Sequence, residues 1–126
     1  MYQVVLIGLG GFIGAVMRFL LSGWVQSGFG SFPIGTLFVN FTGTLGLSTV
    51  MYLSEYGGLF SSDVRMFLTV GIMGAFTTMS TFGYESLRLL EQSEILLFIE
   101  NIVGTLILVM LAAYLGKMMA VTMWRL

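Results

Sequence analysis

Apolar residues dominate four stretches of this chain, and each stretch is long enough to cross a lipid bilayer as a helix. They run from about residue 3 to 24, 33 to 52, 66 to 90 and 95 to 121. A membrane-spanning helix needs about 20 mainly apolar residues, because it rises about 1.5 Å per residue through a hydrocarbon core about 30 Å thick. The pattern predicts an all-α membrane protein with a single domain, residues 1–126, of four transmembrane helices.

Polar residues interrupt the third stretch near its middle. The apolar run from Met66 to Phe76 is followed by four hydroxyl side chains in five residues: Thr77, Thr78, Ser80 and Thr81. The apolar run spans about 16 Å as a helix, so the hydroxyls are expected near the bilayer midplane. Irregular backbone is tolerated at that depth only where protein or a cavity surrounds it. We therefore predict that the third helix is broken at mid-membrane.

A polar stripe also marks the second stretch. Thr36, Asn40, Thr44 and Ser48 recur every four residues and so share one helix face. A lone Thr or Ser in a membrane helix usually bonds to its own backbone or to a neighbouring helix. Asn40 is different, since one helix cannot satisfy a whole amide group. The stripe predicts a narrow polar track centred near Asn40.

The first stretch combines a packing motif with a charge. Gly10 and Gly14 stand four residues apart, as small residues do where two membrane helices approach closely. Arg18 lies inside the same apolar segment, where an arginine is costly. Two interpretations of Arg18 remain open: it snorkels from near the helix end, or it has a structural or ion-attracting role.

Composition narrows the class of function. Hydrophobic residues make up 57% of the chain and charged residues 9%, so a soluble domain could not cover its apolar surface. The net charge of −1, without a basic run, argues against a nucleic-acid partner. The chain has no Cys and no His, which excludes thiol chemistry, histidine proton relays and ordinary zinc sites. Hydroxyl groups without an activating base do not make an enzyme.

The basic residues are almost evenly divided between the two ends of the predicted helices. Arg65, Lys117 and Arg125 belong to one side of the membrane, whereas Arg18 and Arg88 belong to the other. Orientation normally follows an excess of Lys and Arg on the cytoplasmic side. A chain without that excess can insert both ways, so we predict dual topology and an antiparallel homodimer.

Three segments together resemble the Fluc (CrcB) family of bacterial fluoride channels. They are a GxxGAxxRF segment ending at Arg18 and Phe19, the GTLxVN run Gly35–Asn40, and GAFTTMSTF at Gly74–Phe82. The resemblance implies a passive, fluoride-selective channel that exports cytoplasmic fluoride across the bacterial inner membrane. It also implies an antiparallel dimer in the bilayer, with two pores and a structural sodium ion at its centre.

The resemblance also implies site residues. Asn40 and Phe82 are expected to line the fluoride pore, and the backbone carbonyls of Gly74 and Thr77 to hold the sodium ion. A fluoride ion that loses its water needs weak donors, which amide hydrogens, hydroxyls and aromatic ring edges supply. The predicted pore set is therefore Asn40, Phe82, Met79, Thr36, Thr81 and Ser80, with Arg18 as a structural or ion-attracting residue.

Met79 departs from the family pattern, which has phenylalanine at this place. A thioether offers no positive ring edge, so we expect Met79 to be a weaker fluoride contact than Phe82. The main alternative function is a small multidrug-type transporter with dual topology. That class needs a carboxylate in its first helix, where this chain has Arg18 and no acidic residue.

Overall fold

The computed structural model describes all 126 residues, and its regular structure is entirely helical. Four helical spans are long and apolar enough to cross a membrane, which confirms the predicted number of transmembrane helices. The first is α1 (Tyr2–Gln26), the second is α2 (Ile34–Gly57) and the last is α6 (Ile95–Arg125). The third span, Ser62–Glu91, consists of several pieces.

The pieces of the third span differ in their backbone conformation. A short helix α3 (Ser62–Met66) leads into a π-helical segment (Phe67–Met73) and a single turn α4 (Gly74–Phe76). Thr77 (φ −82°, ψ 158°) and Thr78 (φ −151°, ψ 114°) are extended. The helix α5 (Met79–Glu91) then completes the span.

Two helix ends differ from the sequence-based prediction. The second helix continues to Gly57 rather than ending near Tyr52, because Gly58 takes the left-handed conformation (φ 56°) that closes a helix end. The third span begins at Ser62 rather than near Met66, because the Ser61 hydroxyl accepts a hydrogen bond from the Val64 N–H and caps the new helix. The helix α1 ends at Gln26 rather than near Trp24, and α6 ends at Arg125 rather than near Val121.

Close backbone contact joins α1 to the third span. Gly10 and Gly14 are the buried residues of α1. A Cβ atom added to Gly10 would lie 2.7 Å from the Phe67 carbonyl oxygen, and one added to Gly14 would overlap the Ile72 carbonyl. The predicted Gly10–Gly14 packing face is therefore used against the π-helical segment.

The helices α2 and α6 pack along much of their length. A Cβ atom added to Gly116 would lie 2.6 Å from the Leu45 carbonyl oxygen, and the Ser48 hydroxyl donates to the Ala113 carbonyl at 2.6 Å. Ser48 therefore ties α2 to α6, and the predicted polar stripe serves packing at this end. Together α1, α2 and α6 form a frame around the extended residues Thr77 and Thr78.

Candidate functional site

The side chain of Asn40 holds the backbone of Thr78. Asn40 Nδ2 donates to the Thr78 carbonyl oxygen at 3.0 Å, and the Thr78 N–H donates to Asn40 Oδ1 at 2.7 Å. Paired β strands exchange hydrogen bonds in this way, and here an amide side chain takes the place of the second backbone. Both residues are buried. Asn40 therefore satisfies backbone groups that the extended conformation removes from the helix.

The hydroxyl of Thr78 begins α5. Its Oγ1 accepts a hydrogen bond from the Thr81 N–H at 3.2 Å, the usual arrangement of a threonine at the N-cap. The same oxygen lies 3.0 Å from Thr81 Oγ1 and 3.2 Å from Ser80 Oγ. Our sequence-based site set omitted Thr78, although a hydroxyl residue just before a helical segment is an N-cap signal. Three hydroxyl groups thus surround the positive end of α5.

A cavity of about 210 Å³ lies on the Asn40 side of Thr78. Its walls are Asn40, Thr44, Thr77, Thr78, Met79, Phe82, Thr105, Leu106 and Val109. It therefore brings together three of the predicted pore residues, Asn40, Met79 and Phe82. No charged side chain lines this cavity. Its polar groups are one amide and several hydroxyls, which solvate an anion without trapping it.

A second cavity of about 210 Å³ lies between α1, α2 and the start of α5. Its walls are Ala15, Arg18, Phe19, Ser22, Thr36, Val39, Thr78 and Thr81. The remaining predicted residues Thr36, Thr81 and Arg18 therefore meet here rather than beside Asn40. The lining contains the Arg18 guanidinium group, and the Glu85 carboxylate lies next to Thr36 at the edge of this cavity. Thr78 lines both cavities.

A third cavity of about 260 Å³ contains Glu85. It is lined by Gln26, Ser31, Pro33, Glu85, Arg88, Leu89 and Gln92. Glu85 is half-buried, and one of its carboxylate oxygens is buried without a hydrogen-bond partner. The Gln26 side chain bonds to the Gly30 and Phe32 carbonyls and to the Gly35 N–H. These bonds fix the connection between α1 and α2, which forms part of this cavity.

Ser80 has a different place from the other predicted pore residues. Its side chain is exposed and lines neither of the cavities beside Thr78, although its hydroxyl contacts the Thr78 hydroxyl. Thr105 on α6, by contrast, lines the Asn40 cavity and was not predicted. A threonine in a long apolar helix carries no signal that separates a cavity position from a packing position.

Gly74 and Thr77, the two residues predicted to bind sodium, can do so only through backbone carbonyl oxygens that are not already used in hydrogen bonds. The Thr77 carbonyl accepts no hydrogen bond within the chain, because Thr77 lies outside the helices that flank it. The Thr78 N–H, which would reach the Gly74 carbonyl in a continuous helix, donates to Asn40 Oδ1 instead. No group of three or more acidic, His or Cys side chains could hold a metal ion. Free backbone carbonyl oxygens are ligands that suit a hard cation such as sodium.

Comparison with known proteins supports the sequence motifs. The family model described as "CrcB-like protein, Camphor Resistance (CrcB)" matches residues 5–117, which include all three motifs. "Fluoride-specific ion channel FluC 1" of Methanosarcina acetivorans is 57% identical over 123 residues, covering 98% of this chain and 94% of that protein. "Fluoride-specific ion channel FluC 3" of Methanosarcina barkeri is 54% identical over 120 residues, covering 95% and 91%. "Fluoride-specific ion channel FluC" of Clostridium perfringens (strain ATCC 13124) is 43% identical over 116 residues, covering 91% of each chain.

Proposed function

We propose that this chain, which belongs to the CrcB family, is a passive fluoride-selective channel that exports cytoplasmic fluoride. The predicted family is confirmed by the family match and by the relatives. The four spans make the chain a multi-pass membrane protein. We place it in the bacterial inner membrane, where an outward path for cytoplasmic fluoride is needed. An ion channel makes and breaks no covalent bond, so the proposal includes no catalytic residue.

The observation that carries this proposal is the Asn40–Thr78 pair between two hydroxyl-lined cavities. Fluoride is small and strongly hydrated, so it enters a narrow site only where replacement donors take over from water. Asn40 has one amide hydrogen left after its bond to Thr78, and the threonine hydroxyls supply further donors. The larger chloride ion gains less from such donors, so we expect the site to favour fluoride.

The proposed path connects the two cavities that share Thr78. Fluoride enters the cavity of Arg18, Thr36 and Thr81 and reaches Asn40 and Phe82 by way of Thr78. Arg18 raises the local concentration of anions without lining the Asn40 cavity. The positive edge of the Phe82 ring is a weak partner that releases the ion again.

We further propose that two copies associate as an antiparallel dimer with two pores. Support comes from the outer face of α5, where Met79, Ser80, Gly83 and Tyr84 are exposed, and from the Thr77 carbonyl, which accepts no hydrogen bond within the chain. Lipid does not tolerate irregular backbone with free polar groups, so protein must cover this face. Balanced basic residues allow the covering copy to be inverted. The interruption then lies at the midplane of the membrane, at the centre of the dimer.

The proposed dimer centre also suits a structural sodium ion. The carbonyls of Gly74 and Thr77 from both subunits would hold it. A bound sodium ion supplies a positive charge that offsets the negative ends of these backbone dipoles.

Efflux from liposomes tests the proposed function. Purified protein is reconstituted into liposomes loaded with equal fluoride and chloride, and one ion-selective electrode follows each ion. We expect rapid loss of fluoride with chloride retained, without a proton gradient. Equal efflux of both ions, or fluoride efflux that requires a proton gradient, would contradict the proposal and would favour a transporter.

A further inference from the structure

A buried chain of hydrogen bonds links α6 to the backbone of Phe82. Asn101 Nδ2 donates to Ser86 Oγ at 2.9 Å, and Ser86 Oγ donates to the Phe82 carbonyl oxygen at 2.7 Å. Asn101 is 1% exposed and is one of the two largest fully buried side chains. Asn101 Oδ1 accepts a longer bond, 3.4 Å, from Thr105 Oγ1. Neither Ser86 nor Asn101 lines the Asn40 cavity.

Both ends of this chain of bonds reach the proposed ion pathway. Phe82 and Thr105 line the Asn40 cavity, one from α5 and the other from α6. Asn101 connects them through its one side-chain amide, whose nitrogen donates to Ser86 and whose oxygen accepts from Thr105. The side chain of Asn101 therefore couples the position of Phe82 on α5 to the position of Thr105 on α6.

The helix α5 needs such a connection because of what precedes it. Thr77 and Thr78 are extended, so the helical hydrogen-bond ladder that would fix the rotation of α5 relative to α4 is interrupted before Met79. On its outer face α5 exposes Tyr84 and Leu87. The Asn101–Ser86 bond is the side-chain hydrogen bond between α5 and α6. Its loss leaves apolar packing alone to set the rotation of α5 against α6, and such packing tolerates small adjustments.

We propose that Asn101 is a positioning residue for ion permeation. Through Ser86 it sets the rotation of α5 and thereby the placement of the Phe82 ring in the Asn40 cavity. This inference rests on the proposed function, since it assigns Asn101 a role in conduction. It differs from a packing role because the fluoride rate, and not only the stability of the fold, then depends on the bond.

The test compares fluoride efflux of Ser86→Ala and Asn101→Leu with that of the unmodified protein in liposomes. Each variant removes the Asn101–Ser86 bond, and we expect each to lower the fluoride rate about tenfold because the Phe82 ring is displaced in the cavity. The double variant should be no slower than the slower single variant, because both changes break one chain of bonds. Ser86→Thr keeps the hydroxyl and should retain most of the rate.

Ser48→Ala is the matched control. It also removes a side-chain bond to α6, the partly buried one from Ser48 Oγ to the Ala113 carbonyl, and neither of these residues lines the cavity of Phe82. Thermal unfolding should show comparable destabilisation of Ser48→Ala and Ser86→Ala, whereas only Ser86→Ala should lose conduction. If Asn101→Leu does not fold, Ser86→Ala and Ser86→Cys, which change little volume, decide the question.

Two results would overturn the inference. One is a wild-type fluoride rate in folded Ser86→Ala, and the other is an equal loss of rate in Ser48→Ala. Failure of the unmodified protein to conduct fluoride would instead contradict the proposed function. The two failures are therefore distinguishable in one experiment.

Discussion

Asn40 and Thr78 exchange two hydrogen bonds across 38 positions of the chain, so the amide serves the backbone of the third span before it can serve an ion. The side-chain oxygen Oδ1 of Asn40 accepts the Thr78 N–H, and one of the two hydrogens on Nδ2 is donated to the Thr78 carbonyl. One amide hydrogen remains for a ligand in the cavity. The role of Asn40 is thus double, since it supports the extended segment and offers a donor beside Phe82.

The first prediction concerns Asn40→Asp. A carboxylate can still accept from the Thr78 N–H, but it cannot donate to the Thr78 carbonyl and it places a negative charge in the cavity. Fluoride efflux should fall to background because the charge repels the anion. Asn40→Ala should instead lower the free energy of unfolding by about 1–3 kcal/mol for each buried backbone group left unpaired. Thermal unfolding and efflux measured on both variants separate the two effects, and a conducting Asn40→Asp variant would refute the role of Asn40 in the pore.

The number and kind of the helices could be predicted from the sequence because the length of an apolar run determines whether it spans a bilayer. Helix ends were harder, since they depend on local hydrogen bonds. The end of α2 required the left-handed conformation of Gly58, and the start of the third span required the Ser61 cap. Both residues carry recognisable end signals, which hydropathy alone does not weigh.

The candidate site could be predicted only in part for a different reason. Thr36 and Asn40 share a helix face, yet they line different cavities because Thr78 stands between them. The Asn101–Ser86 bond depends on how α5 is rotated against α6. The extended residues before Met79 separate this rotation from that of the preceding helical segment. Sequence periodicity describes one helix at a time and does not report such a rotation.

The second prediction concerns the proposed sodium site at Gly74 and Thr77. Backbone ligation implies that Thr77→Val, which keeps the shape of the side chain and the carbonyl, retains sodium binding. Gly74→Pro should abolish it, because proline removes the Gly74 N–H bond to the preceding turn and shifts the local backbone. Each variant is purified once with sodium and once without it, and fluoride efflux is then measured for both preparations. A difference between the two rates reports sodium binding. Loss of binding in Thr77→Val, with Gly74→Pro unaffected, would show that the carbonyls are not the ligands.

The third prediction tests dual topology. The chain has no cysteine, so single cysteines can be labelled without background. Ser27 is exposed in the first connection and Leu59 in the second. Ser27→Cys and Leu59→Cys should each react with a membrane-impermeant thiol reagent from both sides of the membrane. Labelling of each position from one side only, on opposite sides, would exclude an antiparallel dimer.

The fourth prediction concerns Met79, which is 73% exposed in the single chain and borders the cavity next to Phe82. Met79→Phe changes the volume little, so the fold should persist with a loss of less than about 1.5 kcal/mol. The ring edge adds a second weak contact for fluoride. We expect a changed fluoride rate with unchanged rejection of chloride. A Met79→Phe variant that admits chloride would mean that the side chain at this position sets selectivity rather than rate.

Selectivity for fluoride is the central claim, and the reversal potential in a planar bilayer measures it most directly. Fluoride is placed on one side of the reconstituted protein and chloride at equal concentration on the other. Each tenfold ratio of permeabilities displaces the reversal potential by about 59 mV. We predict that the reversal potential is displaced by more than about 118 mV toward the equilibrium potential of fluoride. This displacement corresponds to a fluoride-to-chloride permeability ratio above about a hundredfold. A reversal potential near zero would show that both anions pass equally and would contradict the account.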